Sequence, residues 1–339
     1  MQLKSYPGYK AWHVTYKSTT ATGKPSKVTG TVIAPEKATA DTPIIGYAPG
    51  TVGLGDACAQ SSHLETGDEI GGSALIQSWT RLGFAVAITN YEGLDAPGPH
   101  PYSVGRSEGT ALLDVVRAAQ HLHASKLSPS ARVGLTGYSQ GGGAAAWAAQ
   151  LAAKYAPDLK VIGAAAGAPP ADLRRNVDYV SGTKDAGLEL AVAYGYNAAY
   201  PELHLDRYLN EKGRVAFKDL SNDCVNDLDS KKWAGKKLSD YTTENVWNRP
   251  EWRKRLAENK LGKVAPKFPV LLYNSPQDEI VPVAGAENLA KSWSKAKGNV
   301  TFYKPNTGGH VTTAAYMIPV VNGWMTERLL GLPTAGNTR

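Results

Sequence analysis

Apolar and polar positions along this chain fall into two alternating rhythms. Near the start, Val28, Gly30, Val32 and Ala34 alternate with Thr29, Thr31 and Ile33. With the β-rich run 11–16 they predict a half-buried hairpin or edge pair. Short, continuous apolar runs at 43–48, 84–89, 133–136 and 161–166 predict buried strands. Between them lie helix-like stretches: 73–82, with Ser73 as its N-cap; 107–123, with Leu112, Leu113, Val116 and Ala119 on one face; and the proline-free, Ala-rich 143–153. Strand and helix taking turns in this way predict a doubly wound, mostly parallel sheet, in which functional groups collect at the carboxyl ends of the strands.

The rhythm breaks after Pro169. Residues 169–261 are polar and rich in Tyr and Trp, with helix-like pieces at 186–199, 203–215 and 250–259 and no clear strand. So long an interruption of a sheet is too large for an ordinary connection and reads as a cap over the strand ends, or as an independent helical unit. The α/β pattern resumes with a strand at 269–274, a helix at 284–294, a strand at 300–303 and a terminal helix at 311–330. The expected organisation is a core in two parts, 1–168 and 263–339, with a helical cap inserted at 169–262.

Composition narrows the picture only a little. The 339 residues are 42% hydrophobic and 20% charged, enough for a core that buries roughly three quarters of the unfolded surface. The net charge of +7 is spread along the chain without a basic run, which argues against nucleic acid as a partner. No run of about 18 apolar residues is present, so no membrane insertion is expected. Residues 1–6 have no apolar signal core, which leaves either a cytosolic chain or one whose leader was replaced by Met1. The two cysteines, Cys58 and Cys224, read equally as independent buried thiols or as one disulfide of an exported protein.

The chemistry centres on 133–144. An apolar strand there runs through Gly137-Tyr138-Ser139-Gln140-Gly141 into the Ala-rich helix. G-x-S-x-G between a strand and a helix is a nucleophile elbow, a turn so sharp that the residues around the serine must be nearly without side chains. The hydroxyl of Ser139 is thereby left at a helix N-terminus, which favours negative charge. Serine needs a base, and imidazole titrates near neutral pH. Of seven histidines, His121 and His123 fall at the end of a helix, His204 in the cap and His13 in the first strand, while His63 and His100 lie in loops able to approach the site. His310 alone follows a strand and two glycines at a strand's carboxyl end. The orienting acid is Asp278, just past the strand at 269–274; its neighbour Glu279 is disfavoured because the shorter side chain suits the turn. The order Ser139, Asp278, His310 is the one expected on this architecture. The oxyanion donors are the backbone amides of Gln140 and, in the Gly-rich loop after the strand 43–48, of Thr51, with Gly50 and Gly53 permitting close approach. No phosphate-loop or zinc motif is present, and Asp56, His63 and Asp68 lack ligand spacing.

These residues, taken together, resemble the α/β-hydrolase superfamily and, more narrowly, the secretory lipase family of actinobacteria and fungi, of which the fungal lipase A type is a branch. The resemblance rests on Val28 to Pro35, Gly50 to Ala59, Tyr91-Glu92-Gly93-Leu94, Pro97 to Tyr102, Gly137 to Gly142, Pro276 to Pro282 and Gly308 to Val311. It implies an α/β-hydrolase fold with a helical cap ahead of the acid-bearing strand, and a secreted, monomeric enzyme acting on small-molecule esters or lipids without a cofactor. It also implies a disulfide between Cys58 and Cys224. Gln60, where family members often carry proline, bears on loop stiffness. Within that class the tyrosine-heavy cap (17 Tyr and 8 Trp against 4 Phe in the whole chain) suggests a pocket with polar tips. Lipase, short-chain or aryl (feruloyl-type) esterase and acyltransferase are all consistent with it. The reading from another class is a non-catalytic binding protein on a hydrolase scaffold.

Overall fold

A computed structural model describes residues 6–66 and 73–332. Eight strands form one sheet: β1 (Tyr9–Thr19), β2 (Pro25–Pro35), β3 (Ile44–Ala48), β4 (Ala85–Thr89), β5 (Val133–Tyr138), β6 (Val161–Gly167), β7 (Val270–Tyr273) and β8 (Val300–Tyr303), in the order β1-β2-β4-β3-β5-β6-β7-β8. The hairpin β1–β2 and the pair β2–β4 are antiparallel, and all other neighbours are parallel. The expected doubly wound sheet is therefore present, with one antiparallel edge.

Both faces of this sheet are covered, and the period of two sorts the side chains between them. Ile44, Ala85, Ala87, Val270 and Leu272 pack with α3 (Gly105–His121), α4 (Gln140–Tyr155) and α11 (Val283–Lys295). Ile45, Val86, Ile88, Leu271 and Tyr273 pack on the other face with α2 (Ser73–Arg81), α13 (Ile318–Leu330) and Met317, while α1 (Gln60–Thr66) contributes Leu64. The short helix α12 (His310–Tyr316) precedes Met317. A helix that is apolar all round belongs in the interior. α4 meets that description, with Ala144, Ala145, Ala146, Ala148 and Ala149 at 0–1% exposure.

Three expectations change on contact with tertiary structure. β2 is not half-buried: Thr29 and Thr31 are as enclosed as the valines, because β1 and β4 flank the strand and both faces are covered. Its polar atoms find partners inside, where the Thr29 hydroxyl donates to the Leu94 carbonyl at 3.2 Å and accepts from Asn90 at 2.9 Å. The terminal helix is two helices, α12 and α13, which meet at Met317 with Pro319 in the first turn of the second. Proline lacks the N–H that would continue the first helix. The helix expected over 203–215 is likewise interrupted at Asn210. Its side chain accepts the Gly213 N–H at 2.9 Å and so caps a new helix, which suits asparagine better than a helix interior.

Between β6 and β7 the chain forms α5 (Leu173–Val180), α6 (Gly187–Ala199), α7 (Leu205–Tyr208), α8 (Glu211–Leu220), α9 (Val225–Leu228) and α10 (Pro250–Glu258), and no strand of the sheet. These helices have an apolar centre of their own, with Leu190, Tyr196, Phe217, Trp233, Trp247 and Trp252 buried in it. The polar edges of the indoles are met there by carboxylates. Trp247 donates to Glu189 at 2.8 Å and Trp233 to Asp223 at 2.7 Å.

This helical segment is stitched to the loop that follows β3. Leu54 N–H donates to the Asp223 carbonyl at 2.9 Å, and Val225 N–H to the Val52 carbonyl at 2.8 Å. Cys58 and Cys224, 166 residues apart in sequence, form a disulfide. Gly53, with φ +136°, lies so close to Asp223 and Cys224 that a Cβ there would collide with their backbone. A loop of this length contributes about 5 kcal/mol in the chain-entropy account. The Cys58→Ala/Cys224→Ala double variant is expected to lose about 2–5 kcal/mol of unfolding free energy, measured by urea titration of the oxidised proteins. Wild type kept in excess reductant should show the same loss.

Candidate active site

The turn from β5 into α4 sets Ser139 at φ 60°, ψ −122°, a backbone region that residues with a side chain rarely occupy. The neighbours hold it there. Ser139 N–H donates to the Gly167 carbonyl at 3.0 Å, and Gly143 N–H returns to the Ser139 carbonyl at 2.9 Å. Gly137, Gly141 and Gly142 leave no alternative. A Cβ on Gly141 would run into the Ala48 carbonyl, and one on Gly142 into that of Gly167. The backbones of β3, β6 and α4 therefore close around the elbow, and the serine hydroxyl is turned outward into a cavity of about 430 Å³.

His310, the first residue of α12, lines the same cavity. Its Nδ1 lies 2.7 Å from Oδ2 of Asp278, whose other oxygen accepts the N–H groups of Ile280 at 2.9 Å and Val281 at 2.7 Å. A carboxylate so supplied with donors accepts from the ring, so Nδ1 is the nitrogen that donates to Asp278 and Nε2 is the one not engaged by it. Glu279 does different work. It accepts the backbone N–H of His310 at 2.8 Å and faces Lys184 at 3.9 Å. Tyr138, the residue before the serine, donates its hydroxyl to the His310 carbonyl at 2.7 Å. The residue is thus held at its ring, its N–H and its carbonyl. Among the described residues no direct hydrogen bond joins Ser139 to His310. Such bonds are often long in unliganded sites and tighten with substrate.

Thr51 and Gln140 come together beside Ser139. Gly50 and Thr51 line the cavity, and neither the Thr51 nor the Gln140 N–H is spent on a backbone carbonyl among the described residues. The loop carrying Thr51 is held from below: Tyr91 donates to the Pro49 carbonyl at 2.6 Å, and the hydroxyls of Tyr102 and Thr51 lie 2.8 Å apart.

The side chain of Gln140 points into the protein, where it meets a network that motif reading passed over. Its Nε2 donates to Glu108 at 2.7 Å and to Nε2 of His100 at 3.0 Å. Nδ1 of His100 donates to the Glu92 carbonyl at 2.7 Å, which fixes the tautomer, and Glu108 also accepts the Ser103 N–H at 2.8 Å. Burial drives both titratable members toward neutrality: the His100 imidazole falls to about 4 and the Glu108 carboxyl rises to about 8. One signal for Glu108 was available, since it lies four residues before Leu112 and eight before Val116, on the buried face of α3.

The remaining candidates lie elsewhere or play other parts. His13 pairs with Asp95 at 2.8 Å, and His121 bonds its own helix at Arg117. Asp56 accepts the Asp95 N–H at 3.0 Å, and Asp68 lies outside the described residues. No group of three potential metal ligands occurs among the described residues. The cavity wall is more apolar than the cap's composition suggested. Most cap aromatics fill the cap's own centre, and the tyrosines that reach the cavity, Tyr47, Tyr138 and Tyr273, belong to the sheet.

Fold and site together define an α/β-hydrolase. Residues 59–337 match the Secretory lipase family, and the chain belongs to that family of carboxylic ester hydrolases. A probable inactive lipase of Mycobacterium tuberculosis is 30% identical over 95% of this chain and 74% of its own length. A secreted triacylglycerol lipase of Malassezia furfur is 27% identical over 90% of the chain and 64% of its own length. The closed state of Candida antarctica lipase A superposes with a TM-score of 0.86 at 22% identity, covering 96% of this chain and 79% of that one, and so shares the fold. The family is a secretory one, the closed disulfide is the redox state of an exported chain, and no described helix is long and apolar enough to cross a membrane.

The Glu108 network has a consequence for stability. A carboxyl raised from its unfolded value to about 8 leaves the unfolded state with fewer bound protons across that interval, so stability falls as pH rises from about 4.5 to about 8. Glu108→Gln keeps the acceptor and removes the titration. Urea unfolding between about pH 7 and 8, above the interval of about 4 to 6.5 in which His100 gives the opposite slope, should show a downward trend in wild type that is flatter in the variant; parallel curves would show Glu108 ionised as in water.

Proposed function

We propose that this protein is a secreted serine hydrolase that cleaves carboxylic esters through an acyl-enzyme on Ser139. The observation that carries the reading is the Asp278–His310 pair opening onto the cavity into which Ser139 projects. In this mechanism Ser139 attacks the ester carbonyl while Nε2 of His310 takes its proton. Asp278 holds the imidazole tautomer and stabilises the cation that forms. The negative charge developing on the carbonyl oxygen is met by the N–H groups of Thr51 and Gln140 and by the N-terminus of α4. His310 then gives its proton to the leaving alcohol, and water cleaves the acyl-enzyme by the same steps in reverse order.

Residues 169–262 act in this reading as the cap over the strand ends, contributing Leu188 and Val225 to the cavity wall. With apolar walls from both cap and sheet, the cavity suits an aliphatic acyl chain, which favours lipid and alkyl esters over aryl ones.

A fluorophosphonate probe should label wild type and not Ser139→Ala, and hydrolysis of p-nitrophenyl esters should vanish with the label. Asp278→Asn, which keeps the shape and spoils the tautomer, should lower kcat by about 10⁴-fold. Folded wild type that neither takes the probe nor turns over any ester from acetate to palmitate would identify a binding protein on a hydrolase scaffold.

A further inference from the structure

Among the described residues that line the active-site cavity there is one acid, Asp229. It follows α9 directly, and that helix is anchored at its start by Cys224, the half of the disulfide that belongs to the cap. The Asp229 N–H donates to the Val225 carbonyl at 3.0 Å, and Val225 in turn donates to Val52, beside the candidate oxyanion donor Thr51. The carboxylate is therefore carried on backbone pinned to the catalytic loop, and not on a free loop of the cap.

Its surroundings leave it unneutralised. Among the described residues the cation that bears on it is Lys184, which is already engaged by Asp185 at 3.2 Å and faces Glu279 at 3.9 Å. Three carboxylates, Asp185, Asp229 and Glu279, thus share one lysine at this end of the cavity, in a chain whose overall charge is +7. Asp229 itself has no side-chain hydrogen bond or ion pair among the described residues. Its side chain is exposed at the cavity wall, so the charge is hydrated in the empty site, while the partial enclosure there raises its carboxyl above the ordinary range. A charge against apolar walls is best satisfied by a ligand that brings the opposite one.

Which end of the substrate it meets follows from the chemistry. His310 must hand its proton to the leaving oxygen, so the alcohol part of the ester lies on the His310 side; Asp229 and His310 line the same cavity, and Glu279, which accepts the His310 N–H at 2.8 Å, faces the Lys184 that bears on Asp229. We infer that Asp229 is a specificity residue that selects esters whose alcohol part carries a positive charge. The inference rests on the Ser139 mechanism proposed above. The acyl chain takes the apolar wall, and the cationic headgroup takes the carboxylate.

The test compares butyrylcholine with its uncharged carbon isostere, 3,3-dimethylbutyl butyrate, two esters of the same shape differing in one charge. Wild type should favour the cation in kcat/KM by about tenfold, as expected for a half-exposed ion pair at low salt, and the preference should shrink with added salt. Asp229→Asn should bring the ratio close to one, while Asp229→Glu retains a preference for the cation. A ratio near one in wild type, or one that Asp229→Asn leaves in place, overturns the assignment while ester hydrolysis by Ser139 stands. Glycerol monobutyrate provides the third arm: if Asp229→Asn lowers its turnover and leaves the choline ratio intact, Asp229 binds hydroxyls and the charge assignment is wrong. If wild type cleaves none of the three and fluorophosphonate fails to label it, the Ser139 mechanism itself falls and this inference with it.

Discussion

Around Ser139 backbone meets backbone with no room for a Cβ, and much of the architecture serves to permit it. Three glycines let β5, the start of α4 and the carbonyls of Ala48 and Gly167 share a space in which no Cβ fits. A strained φ of 60° costs of order 1–3 kcal/mol wherever it is found, so it persists only where the surroundings allow nothing else. Here the surroundings are the middle of a parallel sheet and an alanine helix buried along most of its length. Slender side chains on α4 bring the helix down onto β3 and β6, and that closeness fixes the serine at the edge of the sheet with its hydroxyl outward.

Around that fixed point the polar groups are arranged in two layers. Asp278, Glu279 and Tyr138 grip His310 by its ring, its N–H and its carbonyl respectively, so that one nitrogen alone remains to face the cavity. Beneath the elbow, Glu108, Gln140 and His100 form a chain of hydrogen bonds in which burial disfavours charge. Neutral groups in that position hold Gln140 through its Nε2 without setting a negative charge under the point where an oxyanion would form. An ionised Glu108 would work against such chemistry, which gives its apolar setting a purpose beyond packing.

The cap is tied to the core at the point where the chemistry is most sensitive. A disulfide, two backbone hydrogen bonds and a glycine with no room for a side chain join 223–225 to 52–58, immediately beside Thr51. Val225 and Asp229, close to this seam, line the same cavity as the serine. Parts of the cap remote from the seam are built around Trp247 and Trp252 and have a core of their own.

Much of this was legible in the chain. Apolar runs bounded by glycine and proline marked all eight strands to within a few residues, because a buried strand needs little more than β-branched and small residues between turns. Ser139, Asp278 and His310 could be named since each chemistry demands one residue type at one kind of strand end, and few candidates met the demand. The polarity of β2, the breaks at Asn210 and Met317, and the part played by cap aromatics were not legible, for a common reason. Whether Thr29 meets water, whether a helix continues past a proline, and whether a tyrosine faces a cavity or a core depend on which elements pack against it. The Glu108 network and the isolation of Asp229 are likewise sums over several distant segments. The sequence by itself determined the strands, their order and the identities of the candidate reacting groups. Tertiary structure decided which charges are neutralised, which are left facing the cavity, and hence what the cavity can select, because burial and pairing are properties of neighbours that only the folded chain supplies.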